Sequence, residues 1–223
     1  MKLTKTVKYN YKLTEETLEK DIDSFIFLAR KGNFSWDNKF ENIGLKIIKQ
    51  YFKVLKEKFN TKEYEECKVC YEKLILFLFD ASRGDDKANF GYEDLLARVS
   101  NDFDNYIKNY FICLVKTCSI EELAEKVSTY ASKLKDYGFD SDGKILFTSL
   151  KKEELMKLEE LMLNKTENMT KKDEDKQGIL YFLLSLAKMQ KDKIKYLNLC
   201  ERFKDILDDE DLEYTKEGYE EDE

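Results

Sequence analysis

The sequence predicts an all-α fold, and three observations carry that expectation. The chain of 223 residues contains no proline, so every residue can donate to an intrahelical ladder and nothing forces a kink. Apolar residues recur at steps of three and four over most of its length, the period of a helix with one buried face. Polar capping residues followed by acids open several of these stretches. At Ser119-Ile-Glu-Glu122 a serine hydroxyl and a glutamate carboxylate can satisfy each other's orphan backbone donors. With 42% hydrophobic and 13% aromatic residues, the chain has ample material for a packed core.

Residues 1–13 form an extended arm or lone strand, because Leu3, Val7, Tyr9, Tyr11 and Leu13 alternate loosely with Lys and Thr. A first helix starts at Thr14, with Glu15 and Glu16 in its first turn, Leu18, Ile22, Phe25, Ile26 and Ala29 on one face, and Gly32 at its end. Ser35 caps a second helix, whose stripe runs Trp36, Phe40, Ile43, Ile47, Tyr51, Val54 and Phe59. Thr61 opens a third, with Tyr64, Cys67, Tyr71, Leu74 and Leu78, closing at Ser82-Arg-Gly84. A fourth runs from about Tyr92 through Leu95, Val99, Phe103, Tyr106, Tyr110 and Leu114. The fifth begins at the Ser119 capping box and ends at Tyr137-Gly138, where glycine suits a left-handed cap. Asp140-Ser-Asp142-Gly143 reads as a turn, followed by a helix from about Leu150 through Leu155, Leu158, Leu161 and Met162. After a loop from Asn164 to Lys172, one helix covers about 173–189, and another follows Asp192 with Leu197, Cys200, Phe203 and Leu207 inward. The helices, about eight by this periodicity, give a single domain over 14–207, either an irregular helical-repeat superhelix or an elongated antiparallel bundle.

Composition narrows the chemistry as sharply as the fold. There is no histidine, so the commonest general base and zinc ligand is missing. The eight glycines are dispersed, with no GxGxxG or GxxxxGK phosphate loop. Five cysteines, an odd number, read as free thiols in a reducing cytoplasm, and no apolar stretch near the amino end marks a secretory signal. Gly178-Ile-Leu-Tyr-Phe-Leu-Leu-Ser-Leu-Ala187, the longest apolar run, is too short to span a bilayer and reads as a buried helix, so no membrane partner is expected. Four of the 39 basic residues are arginine, namely Arg30, Arg83, Arg98 and Arg202, which disfavours direct base-specific nucleic-acid recognition.

Each remaining constellation has a structural explanation. Cys67-Lys-Val-Cys70 with Cys113 and Cys118 could offer four thiolates to zinc, but Cys67 and Cys113 belong to apolar helix stripes, where cysteine acts as a small hydrophobe. All five thiols are then expected to react only after unfolding, and no metal or cofactor is expected. Asp140-Ser-Asp142-Gly143 lacks the closing glutamate of a calcium loop. Asp85-Asp86 and the Glu pairs gather around no nucleophile. Two basic stretches could touch phosphate: Lys2, Lys5, Lys8 and Lys12 beside Tyr9 and Tyr11, and Lys188, Lys191, Lys193, Lys195, Arg202 and Lys204. A solvated helix face explains the same residues and is the favoured reading.

The segment from Phe52 to Leu163 contains an aromatic-rich hairpin, FKVLKEKFNTKEYEECKVCYEKLILFLF, then a long helix, then SIEELAEKVSTYASKLKDYGFD. In this half of the chain the pattern of small and large apolar residues resembles tetratricopeptide-like and HEAT-like helical arms, most closely those accompanying SWIM-type zinc fingers in bacterial proteins. The finger itself is absent, since its ligand set ends in histidine. The resemblance therefore implies a helical arm without the finger's nucleic-acid role.

Charge is unevenly placed. From Asp208 to Glu223 there are ten acids and one lysine, net −9, while the preceding residues are net +2. Such a segment cannot bury enough apolar surface to offset its ordering entropy, so 208–223 is expected to be a disordered acidic tail. Asp208, Asp209, Glu210, Asp211, Tyr214 and Tyr219 are its candidate partner-binding residues, carboxylates for attraction and tyrosines for anchoring. The sequence thus predicts a non-catalytic adaptor or regulatory module that presents a helical surface to another protein. The alternative is an acidic nucleic-acid mimic that inhibits a nucleic-acid-processing enzyme. The near-neutral body favours the first. Composition and pattern give no oligomeric state.

Overall fold

In a computed structural model of the chain, ten helices make up 79% of the described residues, and no strand occurs among them, as the all-α expectation requires. The described residues are 16–35, 41–84, 88, 90–91, 94–134, 138–170 and 174–207. The arm 1–13, Asp85-Asp86 and the segment 208–223 lie outside them. Contacts divide the chain into two units, Met1–Thr117 and Cys118–Glu223, within what the sequence reads as one domain over 14–207.

In the first unit α1 (Leu18–Arg30), α2 (Glu41–Asn60), α4 (Leu95–Val99) and α5 (Asp104–Thr117) all pack on α3 (Tyr64–Ser82). Because it is covered on several sides, α3 buries Cys67, Cys70, Tyr71, Leu74, Ile75, Phe77, Leu78 and Phe79 rather than a single stripe. Aromatic rings fill the gaps: Phe25 stacks on Phe34 at 5.0 Å and meets Phe77 edge-on, and Phe52 stacks on Tyr106 at 4.0 Å. Gly44 has no room for a side chain, since a Cβ would stand 2.7 Å from that of Phe34.

The second unit is built the same way. α6 (Ile120–Leu134), α7 (Asp140–Ser149), α8 (Lys152–Asn168) and α10 (Lys193–Arg202) pack on α9 (Glu174–Met189), which buries Ile179, Leu180, Phe182, Leu183, Leu184, Leu186 and Ala187. α6 also packs on α8.

Several boundaries differ from the sequence reading, each for a local reason. The cap of α1 is Thr17, whose hydroxyl accepts from the Lys20 amide. Thr61 does not open α3; with Lys62 it makes the α2–α3 turn, Lys62 taking a left-handed φ of 65° while Glu63 N–H reaches back to Lys58 O. The expected fourth helix is two helices, because Ser100 is extended (φ −156°, ψ 135°) and its hydroxyl accepts from the Asp102 amide. This break turns Phe103 into the core against Phe52. Gly138 is not left-handed. Asp140-Ser-Asp142-Gly143 is no turn but the first turn of α7, with Asp142 buried and accepting from the Tyr130 hydroxyl at 2.9 Å. α8 continues through residues assigned to the 164–172 loop, ending at Asn168.

α6 and α9 cross closely at Gly178: a Cβ there would overlap the Ala131 carbonyl oxygen, and the Ser132 backbone lies at 3.3 Å. Alanine in a helix interior gains up to ~1 kcal/mol over glycine, but a clash with backbone cannot be relieved by a rotamer change. Gly178→Ala is therefore expected to destabilise the chain by ~1–3 kcal/mol, as overpacking does, which urea denaturation followed by circular dichroism measures.

Candidate functional site

A concavity with mixed chemistry lies in the second unit. It is a groove of about 720 Å³ lined by Phe147, Leu150, Lys152, Leu155, Met156, Glu159, Gln190, Asp192 and Lys195. One wall comes from the end of α7, where Leu150 leaves the helix in an extended conformation, and from the first two turns of α8. Glu154 holds the start of α8 by accepting from the Lys151 amide at 2.8 Å. The other wall is the α9–α10 turn. Lys191 closes α9 in a left-handed conformation (φ 56°), Asp192 N–H reaches Ala187 O, and Asp192 Oδ1 caps α10 by accepting from the Lys195 amide at 2.9 Å.

A buried carboxylate ties the walls together. Glu159 accepts from Gln190 Nε2 at 2.5 Å and forms an ion pair with Lys195, whose ammonium also donates to Gln190 Oε1 at 3.2 Å. Both oxygens of Glu159 are thus engaged, so the pair fixes geometry rather than offering a free acid or base. Along the groove, Phe147 is 44% and Met156 59% exposed, and Ile194 (76%) and Leu197 (39%) are exposed on α10, whose first turn reaches the groove. An apolar wall beside a rigid polar one can hold an amphipathic segment.

A second cavity of about 170 Å³ is lined by Leu134, Gly138, Phe139, Asp142, Gly178, Tyr181, Phe182 and Ser185. Its carboxylate, Asp142, is engaged by Tyr130 and by the Gly143 amide at 2.5 Å.

The six candidate residues of the acidic segment, Asp208, Asp209, Glu210, Asp211, Tyr214 and Tyr219, lie outside the described residues, as do the lysines of the arm. Of the second basic stretch, Lys195 pairs with Glu159, Arg202 with Glu167 and Lys204 with Glu201. Among the described residues no cluster of three or more His, Cys, Asp or Glu could hold a metal ion, and no helix is long and apolar enough to cross a membrane. Cys67, Cys70, Cys113 and Cys200 are buried. Burial pushes the Cys70 thiol up to about 12, and a hydrogen bond with Cys67 together with burial raises Cys113. Cys118 departs from the expectation of five protected thiols, because it follows the last residue of α5 and is partly exposed.

No family model, no curated protein and no solved structure matches this chain. The resemblance to helical-repeat arms therefore rests on the apolar pattern of residues 52–163.

Two expectations follow from this geometry. A thiol reagent at pH 8 should modify one thiol, Cys118, in the native chain, and the other four only in denaturant; modification of two or more native thiols contradicts the burial. Lys195→Ala strands the Glu159 carboxylate in a buried site and should cost about 2 kcal/mol in a urea titration. Glu159→Leu removes the buried charge itself and leaves a lysine that is 25% exposed, so it should cost less.

Proposed function

We propose that this chain is a non-catalytic protein-binding module that receives a segment of another protein in the groove between α8 and the α9–α10 turn. The observation that supports this is Phe147 and Met156, two large apolar side chains left half-exposed along a groove whose opposite wall is held by the Glu159–Lys195–Gln190 network. Exposed apolar residues scattered singly need no explanation, whereas a group beside a shaped concavity marks a contact surface. A partner helix or strand would bury the apolar side chains and leave its polar face to Lys152 and Asp192.

The nucleic-acid-mimic alternative draws little support from the helix surfaces. A mimic holds its carboxylates in an ordered, unneutralised array. Here Glu19 and Asp23 pair with Lys73, Glu63 and Glu66 with Lys58, Glu121 with Lys157, and Glu125 with Lys165.

Affinity capture with the full chain, wild type against Met156→Glu, tests the reading. A protein retained by the wild type and released by the variant, whose circular dichroism is unchanged, supports the groove. Equal retention by both overturns it, and recovery of a nuclease or polymerase displaced by added DNA would reinstate the mimic.

A further inference from the structure

Two thiols meet in the core of the first unit, where α3 packs on α5. Asn109 Nδ2 on α5 donates to the Tyr71 hydroxyl on α3 at 3.4 Å, which sets the register of the two helices. Cys67 lies one turn before Tyr71 and Cys113 one turn after Asn109, so helices running antiparallel in this register present the two cysteines to each other. The side chains follow the register. The Cys67 and Cys113 thiols hydrogen-bond to each other, and Cys67 Sγ also donates to the Leu55 carbonyl at 3.8 Å. Both residues are 0% exposed. Packed helix axes ~8–10 Å apart, with Cα atoms ~2.3 Å from each axis, leave facing Cα atoms ~4–6 Å apart, the separation a disulfide needs.

We propose that Cys67 and Cys113 are a peroxide-responsive pair, which closes to a disulfide inside the folded first unit and is reopened by a dithiol reductant. Buried thiols are ordinarily inert, since their surroundings disfavour the thiolate. Here the Cys113 S–H, donated to the Cys67 sulfur, holds the Cys67 thiol below its usual range, while the same hydrogen bond and burial push Cys113 up. Cys70, three residues beyond Cys67 on α3, is pushed up to about 12 by burial. Cys67 is therefore the attacking sulfur and Cys113 the resolving one. The Cys67 thiolate attacks one oxygen of hydrogen peroxide, the O–O bond breaks, and the departing hydroxide takes up the proton that Cys67 lost. Cys113 then attacks the sulfur of the Cys67 sulfenic acid; the S–S bond forms, the S–O bond breaks, and the departing hydroxide leaves as water with the Cys113 proton. Two thiols have lost two electrons and two protons, and peroxide has become two waters. Peroxide is little larger than water and needs far less opening of the core than a thiol reagent does. The link joins α3 to α5 and closes the chain around α4.

The test treats the reduced full chain with hydrogen peroxide, blocks the remaining thiols in denaturant and maps the peptides without reduction. Trypsin cuts after Lys68, Lys73 and Lys116, so Cys67, Cys70, Cys113 and Cys118 fall on separate peptides and each pairing has its own mass. The Cys67 peptide should appear joined to the Cys113 peptide, and dithiothreitol should release both. The oxidised chain should unfold about 5 °C or more above the reduced one, because the link constrains the unfolded state. Cys113→Ala should remove the link and the shift with circular dichroism unchanged. Cys118→Ser, at a partly exposed position, should keep both. Thiols at 67 and 113 that stay reduced after Cys118 is fully oxidised overturn the proposal. So does a link from either residue to Cys70, Cys118, Cys200 or a second copy, a link that forms only in urea, or a link that leaves the unfolding temperature unchanged.

Discussion

Each unit depends on one helix against which the others pack. α3 and α9 are mostly buried, with Glu65 on α3 and Ser185 and Lys188 on α9 left to solvent, and a helix with so much apolar surface is stable in water only when others cover it. The surrounding helices supply that cover, and in return the core orders them. α4 has five residues, and α7 and α10 have ten each, all below the length at which isolated helices persist. Each large side chain buried against α3 or α9 contributes ~1.5–3 kcal/mol relative to exposure. Packing therefore determines where the short helices form, and the walls of the groove are made from two of them together with α8.

Three carboxylates enter these cores with partners. Asp21 accepts from the Tyr51 hydroxyl at 2.9 Å between α1 and α2, Asp142 from Tyr130 between α7 and α6, and Glu159 from Gln190 while pairing with Lys195. An unpaired carboxylate at any of these places would cost several kcal/mol. The first two use a tyrosine, whose ring adds apolar burial to its hydrogen bond. Glu159 uses a lysine, and it lines the large groove. On the surface, ion pairs such as Lys73 with Asp23 are individually weak, on the order of 0–1 kcal/mol. Their collective effect is to neutralise the acidic helix faces.

The elements that could be read from sequence are those whose signals are local. The Ser119 hydroxyl accepts from the Glu122 amide at 3.2 Å, Asp192 caps α10, and α9 runs 174–189 against an expected 173–189. The misread elements are those where tertiary burial overrides a local signal. Asp140-Ser-Asp142-Gly143 has turn composition, but Tyr130 offers Asp142 a buried donor, and the residues join α7. The stretch from Tyr92 to Leu114 keeps helical spacing across Ser100, yet Phe103 gains more by facing Phe52 and Tyr106 than the helix loses by breaking.

The groove was legible only in part, and the reason lies in how periodicity is read. In α8 the buried residues Leu155, Leu158 and Met162 follow one stripe, and Met156 falls beside it. In α10 the buried residues are Tyr196, Leu199 and Cys200, while Leu197, read from sequence as inward-facing, is exposed with Ile194. Both helices thus carry more apolar side chains than their buried faces use. Sequence shows that surplus but cannot distinguish a second packing face from a surface, because the two have the same composition. The fold makes the distinction: the surplus of α8 borders the groove, that of α10 lies on the helix whose first turn lines it, and the Glu159–Lys195 pair holds the two helices in register. A surplus fixed in place on neighbouring helices differs from apolar residues scattered over a surface, and it is the feature a binding partner can recognise.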